Sequence, residues 1–228
     1  MTEQEIKKTL DYLFEKGDVV ELRILGAEHQ GVVSGYFNDF DALAKSADKY
    51  STHAEGIYIT INPVNPALLA RACNRVKSFA KNLTTEKDII RRRWIPIDID
   101  AIRPAGISST NAEHEAAINK AYEINDGLDT MGMPEGIVAD SGNGAHVLIR
   151  TDMSNTPESK ADVEGIQKLI KDKFNNTPGL DVQMFADANR IWKLYGTWAC
   201  KGDSIPARPH RISKILSFPE ASDGGFDD

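Results

Sequence analysis

The chain has 228 residues, the scale of one substantial domain or two closely packed halves. A hydrophobic content of 41% supports a real core, and no apolar run approaches the ~18 residues of a membrane span. The net charge of −7 argues weakly against a non-specific nucleic-acid binder, and two distant cysteines, Cys73 and Cys200, argue against a disulfide framework or a cysteine-rich zinc site.

The N-terminal "MTEQEIKKTL" has no secretory apolar region, so a reducing cytoplasm is the expected compartment. Residues 2–16 read as an amphipathic helix, with Thr2 and Glu5 as a capping box and Ile6, Leu10, Leu13 and Phe14 as its apolar stripe. "VVELRIL" (19–25) and "GVVSGYF" (31–37) read as paired strands, followed by a short helix around 40–47. "GIYITIN" (56–62) is a strand that stops at Pro63, and 66–80 reads as a helix with Arg71, Arg75 and Lys77 on one side. "RWIPIDID" is the next strand, and Thr110 with Glu113 opens a helix to about Asp129. "GIVAD" (136–140) and "AHVLIR" (145–150) flank "SGNG" as a hairpin. A helix over 157–174 and strands near 181–185, 190–195 and 212–218 complete a mixed α/β pattern with helices against the sheet. The tail after Pro219, "EASDGGFDD", carries four acids and no base and reads as a flexible end or a truncated linker.

Asp98 and Asp100 raise the sharpest question. On a strand they share one face, roughly 6.5–7 Å apart along the backbone, while Ile97 and Ile99 face the core. Adjacent carboxylates repel and raise each other's pKa, and a hard divalent cation removes that conflict. The plain alternative is a strand with a solvated polar face.

Two further segments carry candidate chemistry. In "DSGNGAHVLIR", Ser141, Gly142, Asn143 and Gly144 would let a backbone turn approach a bulky anion, with His146 just beyond. The alternative is an ordinary Asn-Gly turn with a surface histidine. No Gly-Lys-Ser/Thr follows, so this is not a Walker A loop. In "LDVQMFADANRIWKLYGTWACKGDSIPARPHR", Asp181 and Asp187 precede Arg190, Lys193, Lys201, Arg208, His210 and Arg211. Bases interleaved with Trp192, Tyr195 and Trp198 suit phosphates and stacked bases. The alternative is a charged edge with aromatic core anchors. Arg91, Arg92 and Arg93 form a separate basic run that suits a DNA backbone.

The three segments taken in order resemble the catalytic core of the archaeo-eukaryotic primase superfamily, the primase-polymerases. The resemblance runs from about Ile57 to Leu216. "IYITINP" and "GTWACKGDSIPARPHR" are similar to the phage, plasmid and mobile-element type, often joined to a helicase. The resemblance implies an α/β (α+β) two-layer fold over residues 1–219, with an N-terminal α/β unit and an RRM-like catalytic sheet. It implies metal binding by Asp98, Asp100 and Asp181, with Asp187 as the rival third ligand. His146 would contact the triphosphate, Ser141 to Gly144 would shape the turn, and Arg190, Lys193 and Lys201 would lie near the phosphates. The implied cofactors are two Mg²⁺ or Mn²⁺ ions and no zinc; the implied partners are single-stranded DNA template, primer, dNTP or NTP, and a helicase domain. Arg91 to Arg93, Arg208, His210 and Arg211 are the candidates for DNA contact. "KLYGT" departs from relatives that place a proline before the glycine. The rival readings are a metal-dependent nuclease or nucleotide hydrolase, and a non-catalytic DNA-binding module of a replication protein.

Overall fold

The computed structural model describes residues 2–219, so the acidic segment 220–228 lies outside the described residues, as does the Thr2 side chain of the expected capping box. The first helix, α1 (Thr2–Leu13), forms on the expected stripe, and Ile6, Leu10, Leu13 and Phe14 are all buried. Each such side chain contributes ~1.5–3 kcal/mol by leaving water. Then come β1 (Val20–Ala27), β2 (Gly31–Phe37), α2 (Phe40–Tyr50) and β3 (Gly56–Thr60).

The helix expected over 66–80 does not form. A 3-10 turn covers only Pro66–Arg71, and a short strand β4 (Val76–Lys77) follows. The cause is the open edge of β2. Tyr36 N–H donates to the Ala72 carbonyl, and Asn74 N–H donates back to the Tyr36 carbonyl. Asn74 takes a positive φ of 49° and its side-chain oxygen accepts from the Asn38 and Asp39 amides, which breaks any helix there. Gly35 makes the close approach possible: a Cβ at that position would lie 2.0 Å from the Arg75 carbonyl oxygen.

The second half runs β5 (Arg91–Ala101), α3 (Asn111–Asp129), β6 (Ile137–Asp140), β7 (Ala145–Ser154), α4 (Pro157–Phe174) and β8 (Leu180–Met184). The Thr110–Glu113 capping box is present in both directions. The chain then returns through β9 (Ile191–Lys193), β10 (Trp198–Ala199), β11 (Arg211–Ile212) and β12 (Lys214–Ser217). The strand β10 has no counterpart in the sequence reading.

Two five-stranded sheets result, ordered β4-β2-β1-β3-β9 and β12-β6-β7-β5-β8, with β10 and β11 as a separate pair. Within the second, β5-α3-β6-β7-α4-β8 is a β-α-β-β-α-β unit whose strands are antiparallel in the order β6-β7-β5-β8. This is the RRM-like arrangement expected. One face of it, including Ile97, Ile99, Val147 and Val182, packs on α3 and α4. The other face sends Trp94, Ile137, Ala139 and Leu148 into the core that β1–β3 share with α1 and α2.

Asn62 and Arg93 join the two sheets. The Asn62 side-chain oxygen accepts from the Arg93 and Trp94 amides, and its nitrogen donates to the Ala188 carbonyl. The Arg93 guanidinium pairs with Asp18 and Glu15 of the N-terminal half. Among the described residues, no helix is long and apolar enough to cross a membrane.

Candidate active site

Asp98 and Asp100 do not sit on a solvated face. They line a cleft of about 360 Å³ that Tyr58 and Lys193, cross-strand partners on β3 and β9, border as well. A second cavity of about 450 Å³ adjoins it, sharing Glu55, Asp100 and Lys201 and adding Arg103 and Asp181.

The register of β5 gathers the candidate residues. Asp98 is directly opposite His146 on β7, and Asp100 is directly opposite Asp181 on β8. Like charges facing each other across a ladder destabilise a sheet. Burial holds the Asp100 carboxyl above the usual carboxylate range, and the Asp98 charge adds to the effect; Arg103 and Lys201 oppose it. Arg103 donates to Asp100 Oδ1 at 3.3 Å. Asp187, by contrast, pairs with Lys160 of α4 and lines a different surface groove.

The hairpin places its glycines for specific reasons. Gly142 has a φ of 90°, which favours glycine, and its N–H donates to Asp140 Oδ1 at 2.6 Å. A Cβ at Gly144 would lie 2.2 Å from the Ile99 carbonyl and 2.7 Å from Asp100 Oδ1, so glycine admits the carboxylate here. Ser141 Oγ accepts from the Gly144 amide, and Asn143 Oδ1 accepts from the Ser109 amide. The same Asp140 Oδ1 meets His114 Nε2 at 2.8 Å. The turn is therefore a braced wall of the cleft, with Ser141 and Asn143 lining it.

His146 is buried, with Nε2 3.4 Å from Asp98 Oδ1 and Nδ1 2.9 Å from the Tyr195 hydroxyl. Its ring lies against Trp192, centroid to centroid 4.1 Å. Opposite, Lys193 is almost fully buried and has no carboxylate partner among the described residues. Its ammonium donates to Thr197 Oγ1 at 2.8 Å and to the Trp198 carbonyl at 2.7 Å. Burial pushes its pKa down to about 7; nearby Cys200 opposes the shift and Lys201 adds to it. Arg190 lines the same cleft and stacks on Phe185 at 3.4 Å.

Other basic candidates are engaged within the protein. Arg92 is buried and bonds the Ala186 carbonyl and Glu86; Arg93 is buried against Asp18. Arg91 is half-exposed and pairs with Asp152. Arg208 holds Glu113 and the Ser108 carbonyl. Arg211 donates to Ser109, Gly142 and Asn111, bracing the hairpin, and the His210 ring meets the Gly202 carbonyl. Glu55, Tyr58 and Arg103 line the cavities and were not singled out from sequence. "EGIYIT" gave the strand of Tyr58 and not its facing, and Arg103 in "AIRP" sits just past the strand end.

The donor set of Asp98, Asp100 and Asp181 is all carboxylate oxygen, which fits a hard cation such as Mg²⁺ or Mn²⁺. Among the described residues no three His, Cys, Asp or Glu side chains already converge on one point. Asp98 leans to His146 and Asp100 to Arg103, so these carboxylates must turn to share an ion.

No family model matches the chain, and no curated protein matches it. Among solved structures, the crystal structure of primase RepB' aligns with a TM-score of 0.53 and 10% identity, covering 96% of this chain. The match covers 57% of that chain, so this sequence spans a little over half its length. At this identity the likeness is one of architecture: the chain has a primase-like fold.

Proposed function

We propose that the protein is a template-directed nucleotidyltransferase, a DNA primase or DNA polymerase that makes or extends strands on single-stranded DNA, with a helicase as partner, in replication of a phage or mobile element. The observation that carries this reading is the gathering of Asp98, Asp100, Asp181 and His146 on three paired strands beside two adjoining cavities, with Lys193 and Arg190 lining the first and Lys201 lining both. The primase-like fold supports it.

In this reading Asp98, Asp100 and Asp181 hold two Mg²⁺ or Mn²⁺ ions. Such ions, when bound, lower the pKa of an attacking 3′-hydroxyl and offset charge on the leaving pyrophosphate. Lys193, Lys201 and Arg190 bind the triphosphate oxygens, and His146 donates a hydrogen bond to one of them. Contacts made beside the buried His146 and Lys193 are stronger than the same contacts in open water. The 3′-oxygen bonds to the α-phosphorus as the bond to pyrophosphate breaks.

Product analysis tests this. The protein is incubated with a primed DNA template, nucleotides and Mn²⁺, and strand length and pyrophosphate are followed together. Lengthened strands with matching pyrophosphate are expected. Shortened strands or free monophosphates would make it a nuclease or a nucleotide hydrolase, and metal-independent DNA binding without turnover would make it a binding module.

A further inference from the structure

We propose that Tyr195 is a positioning residue that holds His146 in one neutral tautomer, with Nδ1 bare and the Nε2 proton aimed into the cleft where the phosphates of a nucleotide would lie. This rests on the nucleotidyl-transfer reading for its purpose and on hydrogen-bond accounting for its geometry.

The Tyr195 hydroxyl is fully buried and has two partners, Trp192 Nε1 at 3.0 Å and His146 Nδ1 at 2.9 Å. An indole N–H can only donate, so Trp192 takes an acceptor position on the phenolic oxygen. The hydroxyl proton then needs an acceptor of its own. Among the described residues His146 Nδ1 is the one in reach. A buried donor left unpaired costs about 1–3 kcal/mol, so the tyrosine donates to Nδ1. A neutral imidazole with Nδ1 accepting carries its proton on Nε2. That nitrogen is the one 3.4 Å from Asp98 Oδ1, on the cleft side. Trp192 N–H to Tyr195 O–H to Nδ1 is a one-way chain, and each bond polarises the next.

Backbone geometry builds this relay. The strand β9 ends at Lys193, and Gly196 turns the chain with a φ of 92°. Tyr195 thus leaves the alternation of the strand and joins Trp192 beside His146, where both rings contact the imidazole. A strand continued to residue 195 would have put Tyr195 and Trp192 on opposite faces.

The test is nitrogen NMR of the ¹⁵N-labelled protein at neutral pH, without metal or nucleotide, with His146→Gln assigning the signal among the five histidines. The expected result is one tautomer at His146: Nδ1 of pyridine type, Nε2 of pyrrole type. A ring averaging between tautomers, or carrying its proton on Nδ1, overturns the proposal. In Tyr195→Phe the ring is expected to become a tautomer mixture. The nucleotide KM should then rise by about 10- to 100-fold, taking as guide the range seen when the orienting partner of a metal-ligating histidine is lost. If Tyr195→Phe binds nucleotide as the wild type does, the positioning role is overturned. Should Tyr195→Phe not fold, the wild-type spectrum decides between the same outcomes. The tautomer is read without turnover, so a wild type that shows it and adds no nucleotide refutes the transferase reading separately.

Discussion

Lys193→Met is the most informative single substitution, because two opposite effects are expected from it. The lysine is almost fully buried with no carboxylate partner among the described residues, and its pKa falls from 10.5 to about 7. At ~1.4 kcal/mol per tenfold change in proton affinity, the gap corresponds to a cost of about 5 kcal/mol for keeping the charge in the folded cleft. The sign follows from proton counts. Between about pH 7 and 10.5 the unfolded chain binds the extra proton, so wild-type stability rises with pH there. Below pH 7 both states are charged and the full cost applies. Methionine removes that cost and loses the bonds to Thr197 and Trp198, worth ~1 kcal/mol each. Denaturant unfolding should therefore find the variant more stable by about 3 kcal/mol near pH 6, with the advantage gone by about pH 10. Triphosphate affinity, measured by calorimetry, should fall about 10- to 100-fold, the worth of a charge-assisted hydrogen bond. A stability difference independent of pH between 7 and 10 would refute the reasoning.

Three more expectations concern the cleft and its frame. Gly144→Ala drives a methyl into the Ile99 carbonyl and Asp100, so it should cost about 1–3 kcal/mol and abolish strand extension while DNA binding persists, read by melting and gel shift. Asp100→Asn relieves repulsion from Asp98 and Asp181 and should raise the melting temperature in chelator; Mn²⁺ should then stabilise the wild type and leave the variant unchanged. Arg93→Ala strands Asp18 and should cost about 3–5 kcal/mol, a fall of roughly 10 °C, whereas Arg91→Ala should leave melting unaltered; both are read by calorimetry.

The facing of Asp98 and Asp100 was legible in the sequence because strand alternation is a strict rule. Asp98 and Asp100 had to share a face opposite Ile97 and Ile99, and they do. Asp181 facing Asp100 was not legible from spacing, since it depends on β8 returning beside β5 after α4. The 66–80 segment misled because Arg71 and Arg75 fall at helical spacing, while the edge of β2 and the turn at Asn74 decided its structure. The run of Arg91 to Arg93 looked like a phosphate strip, yet the strand buries Arg92 and Arg93 and supplies each with an internal acid. The strand expected near 190–195 stops at Lys193, which is why Tyr195 meets Trp192 and not the opposite face.

The most direct test is extension of a labelled primer on a DNA template with dNTPs or NTPs and Mg²⁺ or Mn²⁺, comparing the wild type with Asp98→Ala/Asp100→Ala and repeating both without primer. The account predicts metal-dependent extension by the wild type that vanishes in the double variant, which remains folded and still binds DNA. A folded wild type that binds template and nucleotide without extending, or a double variant that extends as well as the wild type, would contradict it.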